Sequence, residues 1–359
     1  MIQTVTNNRN IVVTTAAVFI IVFGMQYAKA LLIPFLLAVF FALITVRPMM
    51  WLESKRVPST LSALLVVLAL MFVLFAIGSV VGASIAAFTA AVPGYQEQLD
   101  DLTRGAIQFV QRYTDADISY SNVADFLDPG RALAMAGTLL SALRGVLTNT
   151  FLILFTMVFI LLEASSVPTK VEAAFGRSAS TFERASQFLN NLGRYLGIKT
   201  AVSIATGLTA GLLTWLIGLD FPLLWGMLAF LLNYIPTIGS IIAAVPAVLL
   251  ALVQLGPGGA TAVAASFLGI NMVFGNILEP RLMGYGVGIS PLVVFIGLIV
   301  WGWILGPVGM LLSVPLTMTL KMALESHEDT RWIAILLGSE RDAEYALALR
   351  DREEHTPSM

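Results

Sequence analysis

The chain has 359 residues, 58% of them hydrophobic and 12% charged, with a net charge of −2 and no cysteine. Its mean hydropathy is +0.87. This balance excludes a soluble globular enzyme, a disordered chain and a nucleic-acid binder; the missing cysteines exclude disulfides, zinc–thiolate sites, iron–sulfur clusters and thiol catalysis. The histidines, His327 and His355, both lie near the C-terminus, so no buried histidine triad or metal cluster is expected. What remains is an all-α polytopic membrane protein, because an apolar run of about 18 residues or more reads as a spanning helix.

Charge-poor runs occupy 11–28, 31–46, 61–92, 146–162, 200–219, 222–255, 259–278 and 287–320. Arg9 ahead of the run Ile11 to Tyr27, followed by Ala28-Lys29-Ala30, imitates a secretory signal with its cleavage site. A second apolar segment starts at once at Leu31, so a first helical hairpin is expected instead. The uncharged run 61–92 would be about 48 Å long as a helix, against a hydrocarbon core of about 30 Å. It must project from the membrane, as a helix to Pro93 or beyond. In the acidic segment 93–145, Leu99, Leu102, Ala106, Phe109 and Tyr113 form a narrow apolar helix stripe. In the basic segment 163–199, Ser180-Thr181-Phe182-Glu183 fits a capping box. Phe182, Ala185, Leu189, Leu192 and Leu196 follow on one apolar face, as in an interfacial helix leading into the next span.

Lys and Arg concentrate on the inner side of a bilayer. With the N-terminus inside, only Lys29, Arg104, Arg112, Arg131 and Arg144 fall outside, leaving 15 of the 20 basic residues inside. Both termini are therefore expected in the cytoplasm. The expected organisation is an N-terminal scaffold over 1–92 with a long third helix, and an extracytoplasmic helical segment over 93–145. A transmembrane helix at 146–162 and a cytoplasmic amphipathic segment at 163–199 follow. A transport unit spans 200–324, and the cytoplasmic tail is 325–359.

The transport unit contains two similar long apolar pieces. The first runs from Pro222-Leu223-Leu224 through Ile235-Pro236-Thr237-Ile238-Gly239 to Ala244-Val245-Pro246. The second runs from Pro291-Leu292-Val293 through Leu305-Gly306-Pro307-Val308-Gly309 to Ser313-Val314-Pro315. Pro222 to Pro246 and Pro291 to Pro315 are both 24 positions. A central Pro/Gly break divides each into arms of about 20–23 Å, short for a full crossing. Each piece reads as a re-entrant hairpin, with broken backbone buried in protein or lining a cavity. Chain parity brings the first hairpin in from outside and the second from inside, as an inverted repeat. The expected fold is about six full spans plus these hairpins, or about 8–10 spans if the hairpins cross.

Several of these segments resemble a known family. They are Leu231-Leu232-Asn233-Tyr234-Ile235-Pro236-Thr237-Ile238-Gly239, Glu279-Pro280-Arg281-Leu282-Met283-Gly284, Ile289-Ser290-Pro291-Leu292-Val293-Val294, and Gly306-Pro307-Val308-Gly309 to Val314-Pro315-Leu316. Together they are similar to the autoinducer-2 exporter family of permeases, over nearly the whole chain. The resemblance implies a bacterial inner-membrane transporter, export of the quorum-sensing signal autoinducer-2 or sodium/proton antiport, and a homo-oligomer, pentameric where seen. The chain departs from the family's pattern at Tyr285-Gly286 and at Ser290.

A permease needs polar groups deep in the membrane. Asn233, Tyr234, Thr237 and Ser240 flank the first break and offer amide and hydroxyl groups suited to a small neutral polyol-like solute. The alternative role is to bond backbone freed by Pro236. Asn271 lies deep on 259–278 and is expected to line the site, whereas Asn276 lies near its inner end. Glu279 and Arg281 are candidates for gating or ion coupling, or for a pair at the inner interface. Pro236, Gly239, Gly306, Pro307 and Gly309 shape the two tips, whose half-helix ends can face a ligand.

No catalytic constellation, P-loop or cofactor site appears, so an enzyme or ATP-driven pump is not expected. The expected function is a secondary or passive transporter of a small polar metabolite, with the lipid bilayer, a small solute and H+ or Na+ as partners. A cation/proton antiporter using Glu279 and a non-transport membrane scaffold or regulator are the alternatives.

Overall fold

A computed structural model of the chain describes residues 2–113, 149–164, 166, 169–170, 172–173, 179–236, 238–283, 288–340, 343–344 and 347. Thr237, Tyr285-Gly286 and residues 114–148 lie outside the described residues. So do the side chains of the expected stripe from Leu99 to Tyr113 and of the capping box at Ser180.

Every regular element among the described residues is helical. In chain order they are α1 (Ile2–Tyr27), α2 (Lys29–Ser54), α3 (Ser59–Tyr113), α4 (Thr150–Ala164), α5 (Ala179–Ile217), α6 (Pro222–Leu232) and α7 (Ile238–Ile270). A π-helical stretch, Asn271–Leu278, runs into α8 (Glu279–Met283). Then come α9 (Pro291–Leu305), α10 (Pro307–Leu311), α11 (Ser313–Glu325) and α12 (Arg331–Leu337). Four described segments are long and apolar enough to cross a bilayer: Lys29–Ser54, Ser59–Phe88, Ser186–Ile217 and Ile238–Met283. Shorter apolar helices occupy Thr15–Tyr27, Thr150–Ala164, Pro222–Leu232 and Pro291–Leu305. Large apolar side chains such as Phe72, Phe75, Leu208 and Trp215 are exposed, as lipid-facing positions require. The chain is a polytopic helical membrane protein.

The long third helix continues past residue 93 to Tyr113. Between α1 and α2 only Ala28 interrupts the helix, its carbonyl taking the N–H groups of both Leu31 and Leu32. That junction is shorter than the loop of two or more residues a helical hairpin normally uses.

The chain divides into two compact units. The first comprises 1–67, 149–192 and 288–359. In it, α2 turns Leu37, Ala38, Ala42, Thr45 and Met49 inward at helical spacing and packs against α4. Helix α4 answers with Ile153, Leu154, Met157 and Leu161, and its Phe151, Phe155 and Phe159 form an exposed aromatic row. The second long apolar piece is a helical hairpin here: α9 packs against α10 and α11. Its chain turns at Gly306, whose φ of 69° is readily available only to glycine. Pro307 then starts α10 at the position where a missing N–H is harmless. The arms meet at glycines. A Cβ on Gly297 would lie 2.7 Å from Thr317 Oγ1, and one on Gly309 would lie 2.0 Å from the Trp301 carbonyl oxygen.

The second unit comprises 68–148 and 193–287. Here the first long apolar piece is also a helical hairpin. Helix α6 ends at Leu232, the chain breaks around Pro236, and α7 returns against α6. A Cβ on Gly239 would lie 1.8 Å from the Leu232 carbonyl oxygen, so this tip closes as tightly as the other. Helices α5 and α6 cross where Gly207 and Gly211 face Gly226; a Cβ on Gly226 would lie 2.8 Å from the Gly207 carbonyl oxygen. Small residues four apart permit that approach. Helix α7 is itself broken at Gly256, with φ 74° and ψ −172°, so 238–255 closes the hairpin and the chain restarts at Pro257.

The foot of this hairpin is tied down by Asp220. Its side chain does not cap α6, a role the flanking position invites. Instead its carboxylate Oδ2 accepts from Tyr95 Oη at 2.5 Å, its N–H donates to Gln254 Oε1, and its carbonyl accepts from Trp225 Nε1. Burial, then the hydrogen bond and charge of Asp220, hold the Tyr95 hydroxyl well above the usual tyrosine range. The folded value being raised, this stabilisation is complete below the ordinary tyrosine pKa of about 10 and is lost only as pH rises through the higher folded value. Tyr95→Phe should cost about 1–2 kcal/mol of stability at neutral pH. Thermal unfolding in detergent would check it; an unchanged midpoint would show that the bond adds nothing.

Candidate functional site

The site is built on one face of α5. Tyr195, Leu196, Lys199, Val202, Ser203, Thr206 and Ala210 are all buried, recurring at three- and four-residue spacing. Three polar side chains on or beside that stripe meet other segments of the unit. Lys199 Nζ donates to both carboxylate oxygens of Glu279, at 2.7 and 2.8 Å. Tyr234 Oη donates to Thr200 Oγ1 at 2.9 Å. Asn233 Nδ2 donates to Ser203 Oγ at 2.9 Å.

Asn233, Ser240 and Asn271, expected from the sequence to line a solute site, border one pocket. Thr206 of α5, Ala229 of α6, Ala243 and Phe267 of α7, and Phe274 and Gly275 of the π-helical stretch complete most of its wall. The pocket's narrow interior has room for about one water molecule. None of its lining residues is charged. The π-helical stretch widens the turn that carries Asn271, and such bulges recur at functional sites. A Cβ on Gly275 would lie 2.9 Å from Asn271 Oδ1, so glycine there leaves the amide its space.

The other expected residues sit elsewhere. Tyr234, Pro236 and Gly239 belong to the tip but do not line the pocket. Thr237 lies outside the described residues. Gly306, Pro307 and Gly309 form the second hairpin's tip, in the other unit, and do not line this pocket. Asn276 is exposed. Glu279 and Arg281 do not pair with each other: Glu279 is held by Lys199, and Arg281 is exposed. Lys199, placed by the sequence at the water-facing end of a span, is instead 4% exposed.

Residues 11–329 match the family model described as AI-2E family transporter. The chain belongs to the AI-2E transporter family. It is 38% identical over 331 residues to the AI-2 transport protein TqsA of Escherichia coli, covering 92% of this chain and 96% of that one. It is 37% identical over 332 residues to a relative from Haemophilus influenzae, covering 91% and 95%. It is 35% identical over 334 residues to YhhT of Escherichia coli, covering 92% and 95%. An AI-2E family member is a membrane transporter, so the buried polar stripe of α5 belongs to a transport protein. Its surroundings include neutral amide and hydroxyl groups and one charge pair that joins α5 to α8. Lys199 and Thr206 are 7 residues apart, about 10 Å or two turns.

Sequence reasoning missed Lys199, Thr200, Ser203 and Thr206. The signal was present: all but Thr200 continue the three- and four-residue apolar rhythm of Tyr195, Leu196 and Val202. A lysine on the buried face of a span needs an acidic partner, and Asp220 and Glu279 are the acids within the apolar runs that follow it.

Proposed function

We propose that this transporter moves a small, neutral, hydroxylated metabolite across the bacterial inner membrane, with autoinducer-2 as the favoured solute. The name of the relative TqsA supports that substrate. The observation that carries the reading is the convergence of Asn233, Ser240 and Asn271 on one uncharged pocket beside a π-helical stretch. Amide and hydroxyl groups can both donate and accept, which matches the hydroxyl groups of a polyol. The pocket's small interior means that solute entry requires the hairpin α6–α7 to move relative to α5. Each hairpin is re-entrant in this reading. Helix α6, at 11 residues, is about 17 Å long, well short of a hydrocarbon core. The charge distribution supports cytoplasmic termini, and the family resemblance supports a homo-oligomer.

The test is saturable uptake of labelled autoinducer-2 by proteoliposomes of the purified protein, with and without a proton gradient. Asn233→Ala should cut that flux about tenfold by removing a buried hydrogen-bonding group, while the protein still elutes as the folded oligomer. Wild-type vesicles that show no saturable flux would overturn the substrate; full flux through Asn233→Ala would overturn the site.

The buried Lys199–Glu279 pair favours a second reading, in which Glu279 exchanges its lysine for a proton or Na+ during transport. Glu279→Gln should then abolish gradient-driven flux and leave downhill flux intact. Gradient-driven flux that survives the change would remove Glu279 from coupling.

A further inference from the structure

We infer that Thr206 is the residue that reads a hydroxyl group of the solute, and so sets specificity for hydroxylated over deoxygenated molecules. The inference rests on the proposed solute pocket and adds a residue and a chemical group to it.

Thr206 lines the pocket and is 6% exposed. Its Oγ1 is fully shielded and has no hydrogen-bond partner. The other buried threonines among the described residues differ. Thr45, Thr200, Thr214, Thr261, Thr317 and Thr319 are also helical, and each donates its hydroxyl to the carbonyl four residues back. The same bond was open to Thr206 through the Val202 carbonyl. A shielded hydroxyl that forgoes it is uncommon, because buried polar groups are nearly always paired; among the described residues Ser313 Oγ shares that state, in the other hairpin. When the hairpin α6–α7 opens to admit a solute, a polar group entering the pocket can supply what is missing. The narrow interior has room for about one water, or one hydroxyl-sized group. Asn271 and Ser240 border the same space, so a solute hydroxyl there can accept from Thr206 and reach an amide or a second hydroxyl at once.

Selectivity follows from the same arrangement. A site built to bond a hydroxyl discriminates strongly against the analogue lacking it, since its own polar groups are then left unpaired. A hydroxylated solute satisfies Thr206, and a deoxygenated one leaves it as it is.

The chain contains no cysteine, so single-cysteine variants need no background changes. In proteoliposomes, Thr206→Cys should react with a small methanethiosulfonate reagent, and millimolar autoinducer-2 or short polyols such as glycerol and erythritol should slow that labelling. A hydrocarbon of similar size with no hydroxyl, such as n-pentane, should not. Thr206→Val keeps the shape and removes the hydroxyl; it should raise the KM for autoinducer-2 roughly three- to tenfold with little change in maximal flux. Thr206→Ser should restore most of that affinity. A merely structural threonine would change thermal stability and leave KM alone. Unchanged KM in Thr206→Val, in a wild type that does transport autoinducer-2, overturns the inference and leaves the transport reading intact. If the wild type moves no autoinducer-2, the labelling arm decides: protection by polyols upholds the inference, and no protection by any of them, or no labelling at all, overturns it.

Discussion

Lys199→Met should destabilise the folded transporter by about 3–5 kcal/mol, the usual cost of removing one partner from a buried ion pair. The pair is deep: the Lys199 side chain is 6% exposed and that of Glu279 17%. Two oxygens accept from one ammonium, so nearly all of the lysine's charge is spent on a single carboxylate. Without Lys199 that carboxylate is left in the protein interior without its bonded cation. Glu279→Met alone should be similarly damaging, because it strands the ammonium. The double variant Lys199→Met with Glu279→Met should recover most of the loss, since a buried pair replaced by apolar side chains of similar size is often neutral. Thermal unfolding in detergent on all four proteins gives the coupling energy as a double-mutant cycle. Additive losses would show that the two residues act independently. The folded double variant also separates two roles. Retained flux with lost gradient dependence would assign the pair to coupling, whereas retained gradient dependence would leave it a structural lock.

The hydropathy of the chain is enough to read its class, and the Pro/Gly spacing is enough to read its hairpins. Pro222 and Pro291 start their arms, and the breaks fall at Pro236 and Gly306, where the sequence places them. These features are local: proline removes a donor, and glycine permits a positive φ. That Asn233, Ser240 and Asn271 turn toward protein was also readable, because amides and hydroxyls in apolar runs have to find partners there. The contribution of α5 was not read. Lys199 looked like the inner anchor of a span because charge normally marks the membrane edge. Helix α5 instead continues without a break from Ala179 to Ile217, and Lys199 falls on its buried face. Thr206 was invisible for a different reason. A threonine in an apolar helix ordinarily bonds its own backbone, and only the three-dimensional arrangement shows that this one does not. The π-helical stretch at Asn271–Leu278 likewise leaves no local composition signal.

Gly239→Ala and Gly309→Ala should each cost about 3 kcal/mol or more, above the usual range for a single added methyl group. The reason is what the methyl meets. At Gly239 it would sit 1.8 Å from the Leu232 carbonyl oxygen, and at Gly309 2.0 Å from that of Trp301. Both obstacles are backbone, which cannot rotate away as a side chain can. Each hairpin must therefore open at its tip to admit the substitution. For the first hairpin, opening shifts Asn233 and Ser240, which flank the break and line the pocket, so Gly239→Ala should lose saturable flux along with stability. Gly309→Ala distorts a hairpin whose residues do not line that pocket. Its loss of stability should be comparable, and any solute that still binds should protect Thr206→Cys as before. Gly269→Ala, in the same apolar stretch as Asn271, has nothing within 4 Å of the added carbon and should be neutral or slightly stabilising. Thermal midpoints for the three variants check the geometry directly. Equal tolerance of alanine at positions 239, 269 and 309 would mean that the tips are looser than the carbonyl contacts require.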